Sequence, residues 1–263
     1  MSNILSSIAT RVKKKLNDPF STIRRMPRYT PGTVTVKDTV LHFPDAASLV
    51  AIYDEIFDKQ VYRFEARSPQ PLIIDCGANI GISALYFKTL YPDSQVIAFE
   101  PDTKVFGYLQ KNTAAWKDRG IALVNKGVWR EEGELQFLSE GADSGHVVNE
   151  GEKPAGTISR IQVDRLSKYI DRPVDFLKID IEGAELEVLR EIEQKLPLVH
   201  NLFIEYHSFT GQEQQLDQLL QILSRQGMRY YIYAPTTLRH IPFMDKGDYN
   251  GMDGMLNICA TRQ

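Results

Sequence analysis

From residue 72 onward the chain alternates short, nearly continuous apolar runs with amphipathic stretches of helical period, and few folds accommodate that alternation. The runs are LIID (72–75), QVIAFE (95–100), IALVNKGVW (121–129), VDFLKIDI (174–181) and NLFIEYH (201–207). Helical patterns follow the first run through Phe87, then recur over about 102–116 and 183–195, and again in QQLDQLLQILSRQG. In that last stretch Leu216, Leu219, Leu220 and Leu223 form one stripe and Gly227 suits a helix C-cap. Strands without polar alternation belong in a sheet covered on both faces, and helices between successive strands make that sheet mostly parallel. The end of the chain differs. MRYYIYA and GMLNICAT are two strand-like runs with no helix pattern between them, which predicts antiparallel strands at one edge.

Before residue 72, GTVTVKDTVLHF alternates like a strand pair, and ASLVAIYDEIF sets Leu49, Ile52, Tyr53 and Ile56 at helical spacing. The predicted division is therefore an N-terminal arm and cap over 1–70 and an α/β domain over 71–263. Residues 139–157 contain four glycines and few large apolar groups, so they read as a surface loop or a lid.

Composition enters as a filter on partners. With 43% hydrophobic and 25% charged residues and a net charge of −3, the chain has an ordinary globular make-up and no global attraction to nucleic acid. Its two cysteines, Cys76 and Cys259, lie far apart in apolar segments and build neither a disulfide framework nor a CxxC motif, which predicts a reducing, cytoplasmic setting. The first 26 residues carry Arg11, Lys13, Lys14, Lys15, Arg24 and Arg25 but no long apolar stretch, so they do not read as a signal peptide. No window reaches the roughly 18–20 apolar residues of a membrane span. Ile4, Ile8, Val12 and Leu16 recur every four residues among these bases. Such an arm either touches an anionic membrane surface or packs as a solvated helix on the domain or on a partner chain, and a monomer and a homodimer are both compatible with it.

The first apolar run ends in DCGANIG, residues 75–81, which reads DxGxNxG. In an open parallel sheet, ligands sit beyond the carboxyl ends of the strands. Gly77 and Gly81 let the backbone approach a ligand, and Asn79 is among the few non-glycine residues that take a left-handed conformation readily. A dinucleotide fingerprint would read GxGxxG, and Asp75 sets a carboxylate where a pyrophosphate would lie, which argues against NAD. A ligand with an amine and a sulfonium welcomes that carboxylate. Glu100 ends the next strand 23 positions after Gly77, at the spacing of an acid that accepts hydrogen bonds from ribose hydroxyls.

DCGANIGISALYF, AFEPD and above all LKIDIEGAELEVLR resemble the FkbM family of S-adenosylmethionine-dependent methyltransferases, over about residues 72–207. The resemblance implies the class I methyltransferase fold: a Rossmann-like, seven-stranded, mostly parallel sheet with helices on both faces and an antiparallel edge strand. It also implies O-methylation of a sugar, glycoconjugate or polyketide-type natural product. The methionine part of the cofactor would lie by Asp75, Gly77, Asn79 and Gly81, with Asp180 nearby, the ribose on Glu100, and the adenine near Asn125 to Val128, including Gly127. The family commonly has Asn-x-Ala where this chain has Asn125-Lys126-Gly127.

An alcohol acceptor needs its proton removed or its oxygen coordinated, by a base such as histidine or by a divalent cation. Asp180 ends the fourth strand, and Glu205 and His207 lie at i and i+2 on the next, on one face, with Tyr206 on the other. Asp180, Glu205 and His207 are thus the candidate catalytic group, and also the candidate ligands of Mg or another divalent ion. His207 alternatively serves as general base with Glu205 orienting it. Glu182 and Glu185 complement a helix N-terminus or join the site. Asp164 reads as a helix N-cap, and His146 as a solvated loop residue or a substrate contact. Two other functions remain at this level: a non-catalytic nucleoside-binding protein and an NAD-dependent oxidoreductase.

Overall fold

A computed structural model describes residues 18–139, 145–148, 157–236, 243–244 and 251–262. The proposed amphipathic arm around Ile4 to Leu16 and most of the 139–157 loop lie outside them. Among the described residues no helix is long and apolar enough to cross a membrane.

Two antiparallel strands open the described chain, β1 (Gly32–Val36) and β2 (Thr39–Phe43), followed by helix α1 (Ala46–Tyr53). Asp45 caps α1 by accepting from the Ser48 backbone N–H at 2.9 Å. The helix runs into a π-helical turn over Asp54–Asp58. The sheet and its covering helices come next: β3 (Leu72–Cys76), α2 (Ile82–Leu90), β4 (Gln95–Phe99), α3 (Thr103–Asn112) and β5 (Ile121–Val124). A second set of strands intervenes, β6 (Gly127–Trp129), β7 (Gly133–Ser139), β8 (His146–Val147) and β9 (Thr157–Arg165). The main sheet then resumes with β10 (Val174–Ile179), α4 (Glu185–Glu191), β11 (Val199–Phe209), α5 (Leu216–Arg225), β12 (Arg229–Tyr233) and β13 (Met252–Thr261).

Seven strands pair in the order β12-β13-β11-β10-β3-β4-β5. All pairs from β11 to β5 are parallel, while β13 runs antiparallel to both its neighbours. The expected class I methyltransferase fold is therefore present. The reversed strand is β13, set one place in from the rim, and β12 at the rim runs with the rest. Such an insertion needs no crossover helix, which is why the sequence between them shows none.

Register makes the two faces of the sheet chemically different. Ile74 and Cys76, Leu177 and Ile179, and Leu202, Ile204 and Tyr206 face the core made with α4 and α5. On the opposite face Ile73, Phe176 and Phe203 pack under the N-terminal segment, where Tyr62 meets Phe203 edge-on at 4.8 Å between centroids. Phe20, Leu41, Phe43 and Leu49 belong to this same core, so residues 18–62 cover one face of the sheet. Continuing by two along each strand of that face, Ile73 gives way to Asp75, Phe176 to Lys178 and Asp180, and Phe203 to Glu205 and His207. The face is apolar at its deep end and charged at the carboxyl end.

The remaining strands form a four-stranded sheet, β6-β9-β7-β8, around Phe137, Ile161 and Val163. IALVNKGVW is thus two strands in two sheets, a correction to its reading as one. Asn125 divides them, because its Nδ2 donates to Glu100 O at 2.8 Å and Pro101 O at 3.2 Å and turns the chain out of the main sheet. Asp164 is not a helix N-cap either. It lies in β9, buried, and accepts from Lys126 Nζ at 3.0 Å, Tyr169 at 3.2 Å and the Arg165 N–H at 2.9 Å, with Lys168 Nζ also 2.8 Å away. Despite burial, these partners hold its carboxyl far below the ordinary value.

Candidate functional site

A cavity opens beyond the carboxyl ends of β4, β3, β10 and β11. One end is a backbone structure. Gly77 and Ala78 donate their N–H groups to Phe99 O at 3.1 and 2.8 Å, and Gly81 N–H closes on Ala78 O at 2.8 Å. Gly77, Asn79 and Gly81 all take positive φ, +83°, +49° and +91°. The glycines answer to the protein's own packing: a Cβ on Gly77 would lie 1.8 Å from Asp180 O, and one on Gly81 2.7 Å from Leu109 Cδ1. Gly77 and Asn79 line the cavity, whereas Gly81 packs against α3. Glu100 lines it too, 7% exposed, with Oε2 accepting Asn79 N–H at 3.0 Å and Oε1 accepting Asp102 N–H at 2.9 Å. Burial pushes its carboxyl up to about 8, against the pull of these bonds.

Beside Glu100 the walls turn apolar. Phe99 and Pro101, together with Val128, Phe137, Ile161 and Val163 of the second sheet, line this part of the cavity and make it an apolar slot suited to a flat ring. Gly127 lines this slot, and the Asn125 side chain does not, being turned back on Glu100 and Pro101. The Ser139 hydroxyl donates to Asp102 Oδ2, joining the second sheet to the start of α3. The sequence signal for that wall was the alternation in GELQFLS and TISRIQV, which the glycine-rich stretch between them obscures.

The other end is built of charged side chains. Asp75 is fully buried beneath the cavity rather than in its wall, accepting from Ser83 Oγ at 2.5 Å and lying 3.5 Å from Lys178 Nζ. Lys178 itself lines the cavity, pairs with Asp180 Oδ2 at 3.1 Å and donates to Gly77 O at 2.8 Å. Its burial opposes the charge, but Asp180 and Asp75 overcome that and raise its pKa. Sequence reasoning passed over Lys178, although its two-residue spacing from Asp180 was the available signal.

His207 sits 5% exposed among three carboxylates. Its Nδ1 is 3.0 Å from Glu185 Oε1, and its Nε2 is 3.5 Å from Glu205 Oε1 and 3.6 Å from Glu182 Oε2. Burial works against the imidazolium, yet the bonds to Glu185 and Glu205 raise its pKa well above the usual value. The same burial lifts Glu205, and with it Glu182 to about 8. Glu185, from the first turn of α4, also accepts the Gly183 and Ile181 N–H groups at 2.9 and 3.3 Å, so it serves the helix entry and His207 at once. Glu55, delivered by the π-helical turn, and Asp180 bring two further acids to this end of the cavity. Asp180, Glu205 and His207 each offer one ligand atom within 4.8 Å of the others. The His146 ring lies tilted against Phe209, at 5.7 Å between centroids.

Residues 75–230 match the family model described as the Methyltransferase FkbM domain. Methyltransferase sdnD of Sordaria araneosa is 30% identical over 206 residues, covering 65% of this chain and 79% of that protein. The 2-O-methyltransferase NoeI of Sinorhizobium fredii is 25% identical over 171 residues, covering 56% of this chain and 68% of its own. The crystal structure of Methyltransferase FkbM from Methylobacillus flagellatus superposes with a TM-score of 0.50 at 22% identity, over 77% of this chain. That match spans 46% of the longer protein, and what it shares is the fold.

Proposed function

The chain belongs to the FkbM family of S-adenosylmethionine-dependent methyltransferases, and from that premise we propose that it transfers a methyl group to a hydroxyl of a small molecule, a sugar, glycoconjugate or polyketide-type natural product. The observation that carries this reading is one continuous cavity with Glu100 and an apolar slot at one end and His207 among carboxylates at the other. The 2-O-methyltransferase name of a relative supports oxygen as the acceptor.

The residues present fit the cofactor. Each Glu100 oxygen has taken one backbone N–H and retains a lone pair for a ribose hydroxyl. The apolar slot lined by Val128 and Phe137 receives the adenine, with Gly127 also in its lining. Gly77, Asn79 and Asp180 border the methionine part, whose amine and sulfonium are favoured by the surrounding acids. Asp75 acts from below by fixing Ser83 and Lys178, and Gly81 and Asn125 act by shaping the backbone.

S-adenosylmethionine supplies an activated methyl group on an excellent leaving group, so the protein's task is alignment, exclusion of water and removal of the acceptor's proton. The Glu182–His207–Glu205 group is the proton acceptor in this reading. It titrates as a unit, and Glu185 on Nδ1 keeps Nε2 turned toward the cavity. One observation favours a second reading of the same residues. Asp180, Glu205 and His207 Nε2 form a mixed oxygen and nitrogen donor set suited to Mg or Mn, with Glu185 orienting the imidazole from behind. A divalent ion there would acidify a bound hydroxyl.

Calorimetric titration with S-adenosylhomocysteine, beside NAD and repeated with magnesium and with a chelator, tests the cofactor. Radiolabelled methyl transfer to a panel of sugars and polyketide alcohols tests the acceptor. Saturable binding of the nucleoside alone and label in an alcohol are the expected results. Preference for NAD, or label only in amines, overturns the proposal.

A further inference from the structure

At the opposite end of the sheet, where β3, β10 and β11 begin, a second hollow is lined by Arg67, Arg172, His200 and Arg262. Its one lining carboxylate, Asp175, is buried and has both oxygens engaged by backbone, Oδ1 by Arg67 N–H at 3.0 Å and Oδ2 by Leu72 N–H at 3.1 Å. Among the described residues no acid pairs with the three guanidinium groups. Arg172 donates to the neutral amide of Gln95 at 2.5 Å, and Arg262 to the carbonyls of Gln226 and Leu196 at 2.9 and 3.0 Å. Two further nitrogens are shielded from solvent without a hydrogen-bond partner among the described residues, His200 Nδ1 and Arg262 Nε. The Arg262 Nε–H lacks an acceptor, and His200 Nδ1 has its hydrogen-bonding capacity unused, which is costly for buried groups.

We propose that this hollow binds a phosphate group, distinct from the methyl-transfer cavity at the other end of the same strands. Three guanidinium groups against one occupied carboxylate give the excess positive charge, and guanidinium N–H pairs match phosphate oxygens in geometry. Burial and the neighbouring Arg67 and Arg262 depress the His200 pKa, and an anion between these groups relieves that crowding. A free ion and a phosphate ester present the same chemistry here.

The test follows the imidazole signals of the full chain by NMR, among its five histidines, while inorganic phosphate or glucose 1-phosphate is added in about 0.1 M sodium chloride, where exposed charges are screened beyond about 10 Å. Saturable movement of the His200 signals with His207 unmoved is the expected result. The double variant Arg67→Gln/Arg172→Gln changes two exposed side chains, keeps the fold, and is expected to weaken binding about tenfold or more. Tighter binding of the ester than of the ion assigns the source to a phosphorylated metabolite, and the reverse order to free phosphate. Absence of saturation, equal binding by the double variant, or joint movement of His200 and His207 overturns the site.

Discussion

The two ends of the methyl-transfer cavity are made in opposite ways. The end assigned to the cofactor is a short, contiguous piece of chain, residues 75–81, whose geometry is fixed by backbone hydrogen bonds and left-handed residues, with Glu100 added from the next strand. The end assigned to the acceptor is a convergence of side chains from remote segments: Glu55 from the π-helical turn, Lys178 from β10 and Asp180 just after it, Glu185 from α4, and Glu205 and His207 from β11. A ligand common to a whole family suits local backbone. An acceptor that varies suits side chains, which substitute without moving the frame.

The sharpest way to break this contrast is Gly77→Ala. A Cβ there meets the Asp180 carbonyl at 1.8 Å on a residue already at φ +83°, so about 3 kcal/mol or more of stability should be lost, together with measurable cofactor binding. Denaturant unfolding and calorimetry would read both. An unchanged unfolding midpoint would mean that the loop yields easily. Next in size, His207→Ala should lower turnover about a hundredfold or more while S-adenosylhomocysteine affinity stays nearly constant, and Asp180→Ala should lower turnover as far and, because Asp180 also borders the methionine part, weaken cofactor binding. If both variants retain full turnover, the acceptor end has been assigned to the wrong residues.

Glu100→Ala should then weaken cofactor binding by about ten- to a hundredfold with the fold intact, by loss of its hydrogen bonds to the ribose. The same residue carries a pH signature. Its carboxyl rises from 4.5 to about 8 on burial, so the folded apo protein keeps a proton that the unfolded chain releases. Its contribution to stability is therefore complete below about pH 4.5 and is lost as pH rises through about 8. Glu100→Gln should remove that decline in a series of thermal melts across this range. The smallest effect is expected from Asn125→Ala. Its side chain is turned away from the cavity, so affinity should change by less than about threefold and stability by about 1 kcal/mol.

These differences also explain how much could be read from the sequence. The parallel sheet was legible because its strands are continuous apolar runs, and the DxGxNxG loop because left-handed residues at fixed spacing are a local signal. Pairing Glu205 with His207 needed only the two-residue period of a strand. The four-stranded sheet was not legible, since β7 and β9 are separated by a glycine-rich stretch and pair across long sequence distance. Glu55 was equally hidden, and Glu185 stayed between a helix-end role and the site. A first-turn acid has a sufficient local reason to be there, and nothing near residue 55 announces that a π-helical turn will aim it into the cavity.

The contact between Gly77 and the Asp180 carbonyl has an engineering consequence. It makes one backbone junction common to both halves of the reaction centre, since Asp180 begins the acceptor end and Gly77 sits in the cofactor loop. Grafting a new β10 terminus to retarget the enzyme would therefore disturb the loop that holds the donor. Exchanging 54–62 or the start of β13 leaves that junction and the His207 group untouched, and those segments are the interchangeable parts from which altered specificity is best built.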